Sequence, residues 1–165
     1  MPSFARLILA TQNRGKEAEM RALPDGLPIH VLGPEEAGWK DDVIEDGATL
    51  EENALKKARA AFRATGLPAL ADDTGLFVDA LGGAPGVRSA RYAGEAQDPV
   101  ANCAKLLRAL DGVEADRRGA EFRAVLALVG EGGGHLFRGS CRGRIALSPR
   151  GNPGFGFDPV FVLTG

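Results

Sequence analysis

Apolar positions along the chain follow two different periods. Short apolar runs at Leu7–Ala10, Ile29–Leu32, Phe122–Val129 and Val160–Leu163, each bounded by turn residues, predict strands. Ala69–Ala71 predicts another, continuing through Asp72-Asp73-Thr74-Gly75 into Leu76–Leu81. Beyond a turn at Glu131–Gly134, two further strands are expected at His135–Ser140 and Arg142–Leu147. Helical spacing governs three other stretches. Lys16–Leu23 predicts a short helix that stops at Pro24, and Leu50 to about Thr65 a long one. The long helix opens on a capping box, Thr49-x-x-Glu52, and is closed by Gly66 and Pro68. Asp98-Pro99 offers an N-cap and a first-turn proline for a third helix reaching Leu110. Pro34–Gly47 is expected to be an exposed acidic connection, and Gly82–Gly86 and Gly151–Pro159 to be loops. Strands alternating with helices predict an α/β fold: one domain, a mixed sheet with flanking helices, and no repeat or internal boundary.

Composition narrows the function classes. The 165 residues carry 20 Lys+Arg and 22 Asp+Glu, a formal net charge of −2, which gives no basic surplus for general nucleic-acid or membrane binding. An anionic ligand must therefore meet a local cluster of cations. Two cysteines, Cys103 and Cys141, and two histidines, His30 and His135, are too few and too scattered for a disulfide framework or a zinc site. The longest apolar run, Ala124–Val129, is too short to span a bilayer, and Leu7–Ala10 is too short for a signal-peptide core. The expectation is a cytoplasmic protein that is metal-free or binds a metal through carboxylates. Asn occurs only at 13, 53, 102 and 152, and Lys only at 16, 40, 56, 57 and 105, so their placement is informative.

Four segments carry candidate chemistry. Thr11-Gln12-Asn13-Arg14-Gly15-Lys16 joins a strand to a helix, where backbone N–H groups and two cations suit a phosphate. It lacks the Walker spacing, and a plain strand–helix turn is the simpler alternative. On the long helix, Leu50, Ala54, Ala58, Ala61, Phe62 and Thr65 share a face, with Glu52, Lys56, Arg59 and Arg63 opposite. Lys57 falls within the apolar face, with Asn53 one turn before it near the edge. It either snorkels to water or enters a cleft to meet an anion. Asp72-Asp73-Thr74-Gly75, at a strand end, can hold Mg²⁺ and activate water, or simply form a turn. Glu45 is a possible second metal ligand, though nothing local separates it from Asp41, Asp42 or Asp46. Finally, Gly154-Phe155-Gly156-Phe157-Asp158-Pro159 offers rings for stacking and a carboxylate for a base N–H, or a glycine-kinked loop whose rings fill the core.

These segments occur in a particular order. Thr11-x-Asn13-x-x-Lys16, Glu45-x-Gly47, Glu52-Asn53-Ala54 with Lys57, Ala71–Leu76, Leu81–Gly86, Ser89–Tyr92 and Gly154–Pro159 together resemble the inosine triphosphate pyrophosphatase family over residues 7 to 163. The resemblance implies an elongated mixed sheet, two lobes around a central nucleotide cleft, and a homodimer. It implies Mg²⁺-dependent cleavage of ITP, dITP and XTP to the monophosphate and pyrophosphate. Under it, Thr11, Gln12, Asn13, Arg14, Gly15 and Lys16 would bind the phosphates, and Lys57 would reach them from the long helix. Glu45 and Asp73 would hold the metal with Asp72 beside them, and Asp73 would be the general base. Thr74 would contact substrate, and Phe155, Gly156, Phe157 and Asp158 the base.

The chain departs from the pattern in two places. Gln12 stands where the family has glycine. The family also continues past the last strand with a lysine and a base-contacting Ser-His-Arg segment, whereas this chain ends at Leu163-Thr164-Gly165. The expectation is therefore a domain lacking its C-terminal segment. Two alternatives stay open at this stage: a pyrophosphatase for modified pyrimidine nucleotides, and a nucleotide-binding module without catalysis.

Overall fold

The long central helix shows how the sequence builds the frame. A computed structural model of the chain describes residues 5–11, 14–22, 26–150 and 156–164. In it, Thr49 caps the helix by accepting a hydrogen bond from the Glu52 amide at 3.1 Å. The helix runs Leu50–Thr65 (α2) and ends at Gly66, whose φ of +72° lets its N–H turn back to the Phe62 carbonyl. The box is offset by one residue on its return arm: Glu52 Oε2 accepts from the Ala48 amide at 2.8 Å rather than from the cap residue itself. Leu50, Asn53, Ala54, Lys57, Ala58 and Ala61 form its buried face.

The remaining elements follow the predicted order with shifted edges. They are β1 (Ala5–Leu9), α1 (Arg14–Ala22), β2 (Ile29–Leu32), β3 (Ala69–Val78), β4 (Pro85–Gly86), α3 (Pro99–Ala109), β5 (Gly119–Gly130), β6 (Gly133–Ile145) and β7 (Phe161–Leu163). Among the described residues, the strands form one seven-stranded sheet in the order β2-β1-β3-β5-β6-β7, with β4 added to β3. The sheet is mixed. β1 runs parallel to β2 and to β3, while β4 on β3 and β7 on β6 are antiparallel.

Three expectations need correcting. His135–Ser140 and Arg142–Leu147 are a single strand, β6, not two. Most of β6 is exposed on both faces, so no apolar alternation marks its course. Gly82–Gly86 is not wholly loop, because Pro85 and Gly86 pair with Phe77 and Leu76. The connection before α2 is not exposed throughout: Pro34 and Trp39 are buried, and the Trp39 amide bonds to the Pro34 carbonyl at 2.9 Å. The chain divides into two compact units, Met1–Asp73 with Val125–Arg138, and Thr74–Ala124 with Gly139–Gly165.

Each unit has its own interior. In the first, Ile8, Leu9 and Ala10 on and after β1 and Ala54, Ala58 and Ala61 on α2 are fully buried, as are Ala69 and Ala71 on β3. In the second, Leu76, Val78, Leu106, Leu110, Ala120, Ile145, Phe157 and Val160 make one cluster. No helix among the described residues is long and apolar enough to cross a membrane.

Candidate active site

The site in the first unit begins where β1 ends beside the start of the parallel strand β3. The Ile8 and Ala10 amides donate to the Pro68 and Leu70 carbonyls, at 2.9 and 2.8 Å, which sets the exit of β1 against β3. Ligands in α/β folds collect beyond the carboxyl ends of such strands. Thr11 leaves β1 buried, and the chain then enters α1 at Arg14, so Gly15 and Lys16 lie in the first turn of that helix. Gln12 and Asn13, and the side chain of Arg14, lie outside the described residues. Lys16 Nζ stands 3.4 Å from Asp72 Oδ2, so the lysine of the phosphate-type segment meets the first carboxylate of the pair.

Asp72 and Asp73 are both buried, at 7% and 5% exposure. Two adjacent acids on one strand, each shielded from water, are costly unless other groups compensate. Asp72 has Lys16. Around Asp73 the compensating groups come from α2 and from the connection before it. Lys57, buried within the apolar face of α2, points its ammonium to Glu45 at 2.7 Å. Asn53 donates a hydrogen bond to Asp73, and its Oδ1 accepts from the Gly47 amide at 2.8 Å.

The balance of these forces sets the proton affinity of Asp73. Its carboxyl is pushed up to about 6 as the net of these effects: burial, the largest, raises it, the positive charge of Lys57 lowers it, Glu45 raises it, and Lys16 and the Asn53 hydrogen bond lower it. A carboxylate in that range is a far stronger base than an exposed one and remains mostly ionised at neutral pH.

The donor set also fits a hard divalent cation. Asp72 Oδ1 is buried without a hydrogen-bond partner, an oxygen left for a ligand the protein does not supply. Among the described residues, no group of three or more His, Cys, Asp or Glu side chains is gathered for a metal. Carboxylate oxygens such as those of Asp72, Asp73 and Glu45 are the donor type that a hard divalent cation takes beside phosphate oxygens. The acidic neighbours of Glu45 do not compete. Asp41, Asp42 and Asp46 are exposed, and Asp46 pairs with Lys56 on the outer side of α2 at 2.6 Å.

The remaining predicted residues belong to the second unit and are described within it. Thr74 is half-buried at the start of the unit. Phe157 is 4% exposed and packs in the core cluster, so its ring fills the interior and is not offered for stacking. Asp158 is exposed in the turn that follows, and the Gly156 carbonyl accepts from Cys103 Sγ at 3.6 Å. Phe155 lies outside the described residues. The segments Leu81–Gly86 and Ser89–Tyr92 have structural work here. Ser89 Oγ accepts from the Leu76 amide at 2.8 Å and donates to the Gly86 carbonyl at 2.6 Å. Asn102 on α3 accepts from the Ala93 amide and donates to the Ala90 carbonyl, and Lys105 Nζ reaches the Tyr92 carbonyl at 2.8 Å.

One residue of the site was not among the candidates. Asn53 reads in sequence as a polar residue near the edge of an apolar face, and the scarcity of asparagine and its place in the Glu52-Asn53-Ala54 motif were the signals that pointed to it.

Comparison with known proteins agrees along the whole chain. The Ham1 family profile matches residues 7–165. The dITP/XTP pyrophosphatase of Geobacter sulfurreducens is 52% identical over 162 residues, spanning 98% of this chain and 81% of the relative. That of Xanthomonas oryzae is 52% identical over 159 residues, 94% of this chain and 79% of the relative. Among solved structures, a HAM1 protein from Coxiella burnetii is similar with a TM-score of 0.86 at 42% identity, covering 96% of this chain and 82% of that one. The Staphylococcus aureus Ham1 protein gives a TM-score of 0.83 at 40% identity, covering 96% and 81%.

Proposed function

The chain belongs to the Ham1 family, and we propose that it hydrolyses ITP, dITP and XTP to the monophosphate and pyrophosphate, clearing non-canonical purines from the nucleotide pool. Identity of 52% to a dITP/XTP pyrophosphatase, across 98% of the chain, is the observation that carries this reading. The enzyme is a nucleoside triphosphate pyrophosphatase.

The residue roles follow from the charges gathered in the first unit. Thr11, Gln12, Asn13, Arg14, Gly15 and Lys16 would receive the phosphate chain at the start of α1, where helix amides and the Lys16 ammonium offset its charge. Lys57 would turn from Glu45 to the phosphates. Glu45 and Asp73, with Asp72 beside them, would hold Mg²⁺, which when bound offsets charge building on the leaving pyrophosphate. Asp73 would take the proton of the attacking water. Its burial supports that role, because a carboxylate denied water accepts a proton more readily.

Thr74 would contact the substrate, and Phe155, Gly156, Phe157 and Asp158 would frame the base, Phe157 through its backbone. Selection would rest on the purine 6-position. A donor aimed at the carbonyl of hypoxanthine or xanthine faces an amino group in adenine, and that mismatch leaves a buried donor unpaired. The reading also carries a cytoplasmic homodimer acting on free nucleotides; the net charge of −2 offers no basic surplus for a polyanion.

The test is product analysis with ITP, dITP, XTP, ATP and GTP in magnesium and in chelator. Pyrophosphate is expected from the first three at rates on the order of 100-fold above the other two, and none in chelator. Orthophosphate as product, or equal rates on all five, would overturn the assignment.

A further inference from the structure

Asn53 is 1% exposed on the apolar face of α2, one turn before Lys57. Its neighbours on that face are Leu50, Ala54, Ala58 and Ala61, and an apolar residue would satisfy packing there without burying an amide. Both ends of the amide are used. Oδ1 accepts from the Gly47 amide at 2.8 Å, and the other end donates to Asp73. A backbone N–H can only donate, so Gly47 dictates which end of Asn53 is oxygen. The Nδ2 group must then face Asp73, and the side chain cannot flip without losing both bonds.

Gly47 is shaped to this arrangement. A Cβ there would stand 2.7 Å from Asn53 Oδ1 and 2.8 Å from Glu52 Cβ, so glycine alone permits the approach. Gly47 lies two residues after Glu45, the partner of Lys57. One amide therefore ties the connection carrying Glu45, the helix carrying Lys57 and the strand carrying Asp73.

We propose that Asn53 is the positioning residue for Asp73: its fixed amide occupies one lone pair of the carboxylate, orients its plane, and registers the Glu45 connection against it. This rests on the reading of Asp73 as general base. A displaced base costs rate far more than it costs binding, because the geometry of proton transfer is lost while the phosphates are still held elsewhere.

The experiment compares Asn53→Asp, Asn53→Ala and Asp73→Asn in the full chain with ITP at saturating magnesium, each rate taken per folded molecule from thermal melts and Trp39 emission. Asn53→Asp keeps the acceptor for Gly47 and replaces the donor to Asp73 by a carboxylate oxygen of like charge, whereas Asn53→Ala removes the donor without adding charge. Both Asn53 variants are expected to lose about 30-fold or more in kcat with KM within about 3-fold of wild type. If Asn53→Asp does not fold, Asn53→Ala decides by the same criterion. Wild-type kcat in the folded Asn53 variants with an inactive Asp73→Asn overturns the positioning role alone. An active Asp73→Asn overturns both it and the base. A loss in kcat that merely tracks the folded fraction also overturns it.

Discussion

Lys57 Nζ lies 2.7 Å from Glu45 Oε1, with the lysine side chain 9% exposed and the glutamate 30%. The two proposed ligands of opposite charge, a triphosphate and a divalent cation, thus have their receiving groups paired with each other in the protein alone. The pair keeps a buried ammonium from standing uncompensated. A nucleotide arriving with its metal replaces each partner by a charge of the same sign, so neither the ammonium nor the carboxylate is left facing a like charge.

The same pair sets Asp73 from opposite sides, which gives a prediction of sign. Lys57 lowers the Asp73 carboxyl and Glu45 raises it. Lys57→Met should therefore move the Asp73 titration upward, and Glu45→Gln should move it downward, each by about one pH unit. Carboxyl-carbon NMR of Asp73 in chelator reads both. Shifts of the same sign in the two variants would show that the pair does not act on Asp73 electrostatically.

Asp73→Asn should reduce turnover about 100-fold or more while stabilising the protein without ligands. The carboxyl stands at about 6 in the fold against an ordinary 3.8, because burial favours the protonated form. Below pH 3.8 it is protonated whether the chain is folded or not, and the penalty is absent. As pH rises from 3.8 to 6 the unfolded chain gives up the proton while the folded protein still holds it, and stability is lost until the penalty is complete above 6. The gap corresponds to at most about 3 kcal/mol at pH 7. The stability gain of Asp73→Asn in chelator should accordingly be largest near neutral pH and vanish near pH 3.5 in urea denaturation; a gain that does not shrink on acidification would contradict this.

The glycine of Asp72-Asp73-Thr74-Gly75 is there for packing. A Cβ at Gly75 would stand 2.6 Å from the Gly86 carbonyl and 3.0 Å from Phe77 Cε2. That carbonyl is pinned by Ser89 and by the pairing of Gly86 with Leu76, so it cannot retreat. Gly75→Ala should cost about 2–3 kcal/mol through overpacking. A urea midpoint unchanged from wild type would mean that β4 yields.

How much of this was legible depended on whether a signal was local. Thr49, Glu52 and Gly66 mark the ends of α2 because capping is read from a few neighbouring residues, and Lys57 is visible through helical spacing alone. Glu45 is not. Four acids stand in one connection, and only folding brings one of them opposite Lys57. The course of β6 is hidden because residues exposed on both faces carry no alternation. The division into two units is hidden for another reason: it falls between Asp73 and Thr74, Ala124 and Val125, and Arg138 and Gly139, each inside a continuous strand, with no linker composition to betray it. The order of the site motifs identified the family, yet geometry was needed to separate Asn53, which touches Asp73, from Phe157, whose ring is core.

Arg118 was equally hidden, since nothing in Asp116-Arg117-Arg118-Gly119 marks one arginine for burial. It is 5% exposed, and its guanidinium donates from Nε to the Val113 carbonyl at 2.8 Å, from Nη1 to Ala146 at 3.1 Å and from Nη2 to Leu110 at 2.8 Å. The Leu110 carbonyl lies at the end of α3, where helical partners run out, so the cation caps the helix and ties it to the residue after β6. Arg118→Met would take a donor from three carbonyls, of which Leu110 keeps the Val113 amide at 2.9 Å, and should cost about 2–4 kcal/mol. Arg118→Lys should recover less than half of that, because an ammonium lacks the planar fork that reaches all three. Urea denaturation ranks the three proteins. A lysine variant as stable as wild type would mean that charge alone, without the geometry of the fork, holds this end of α3.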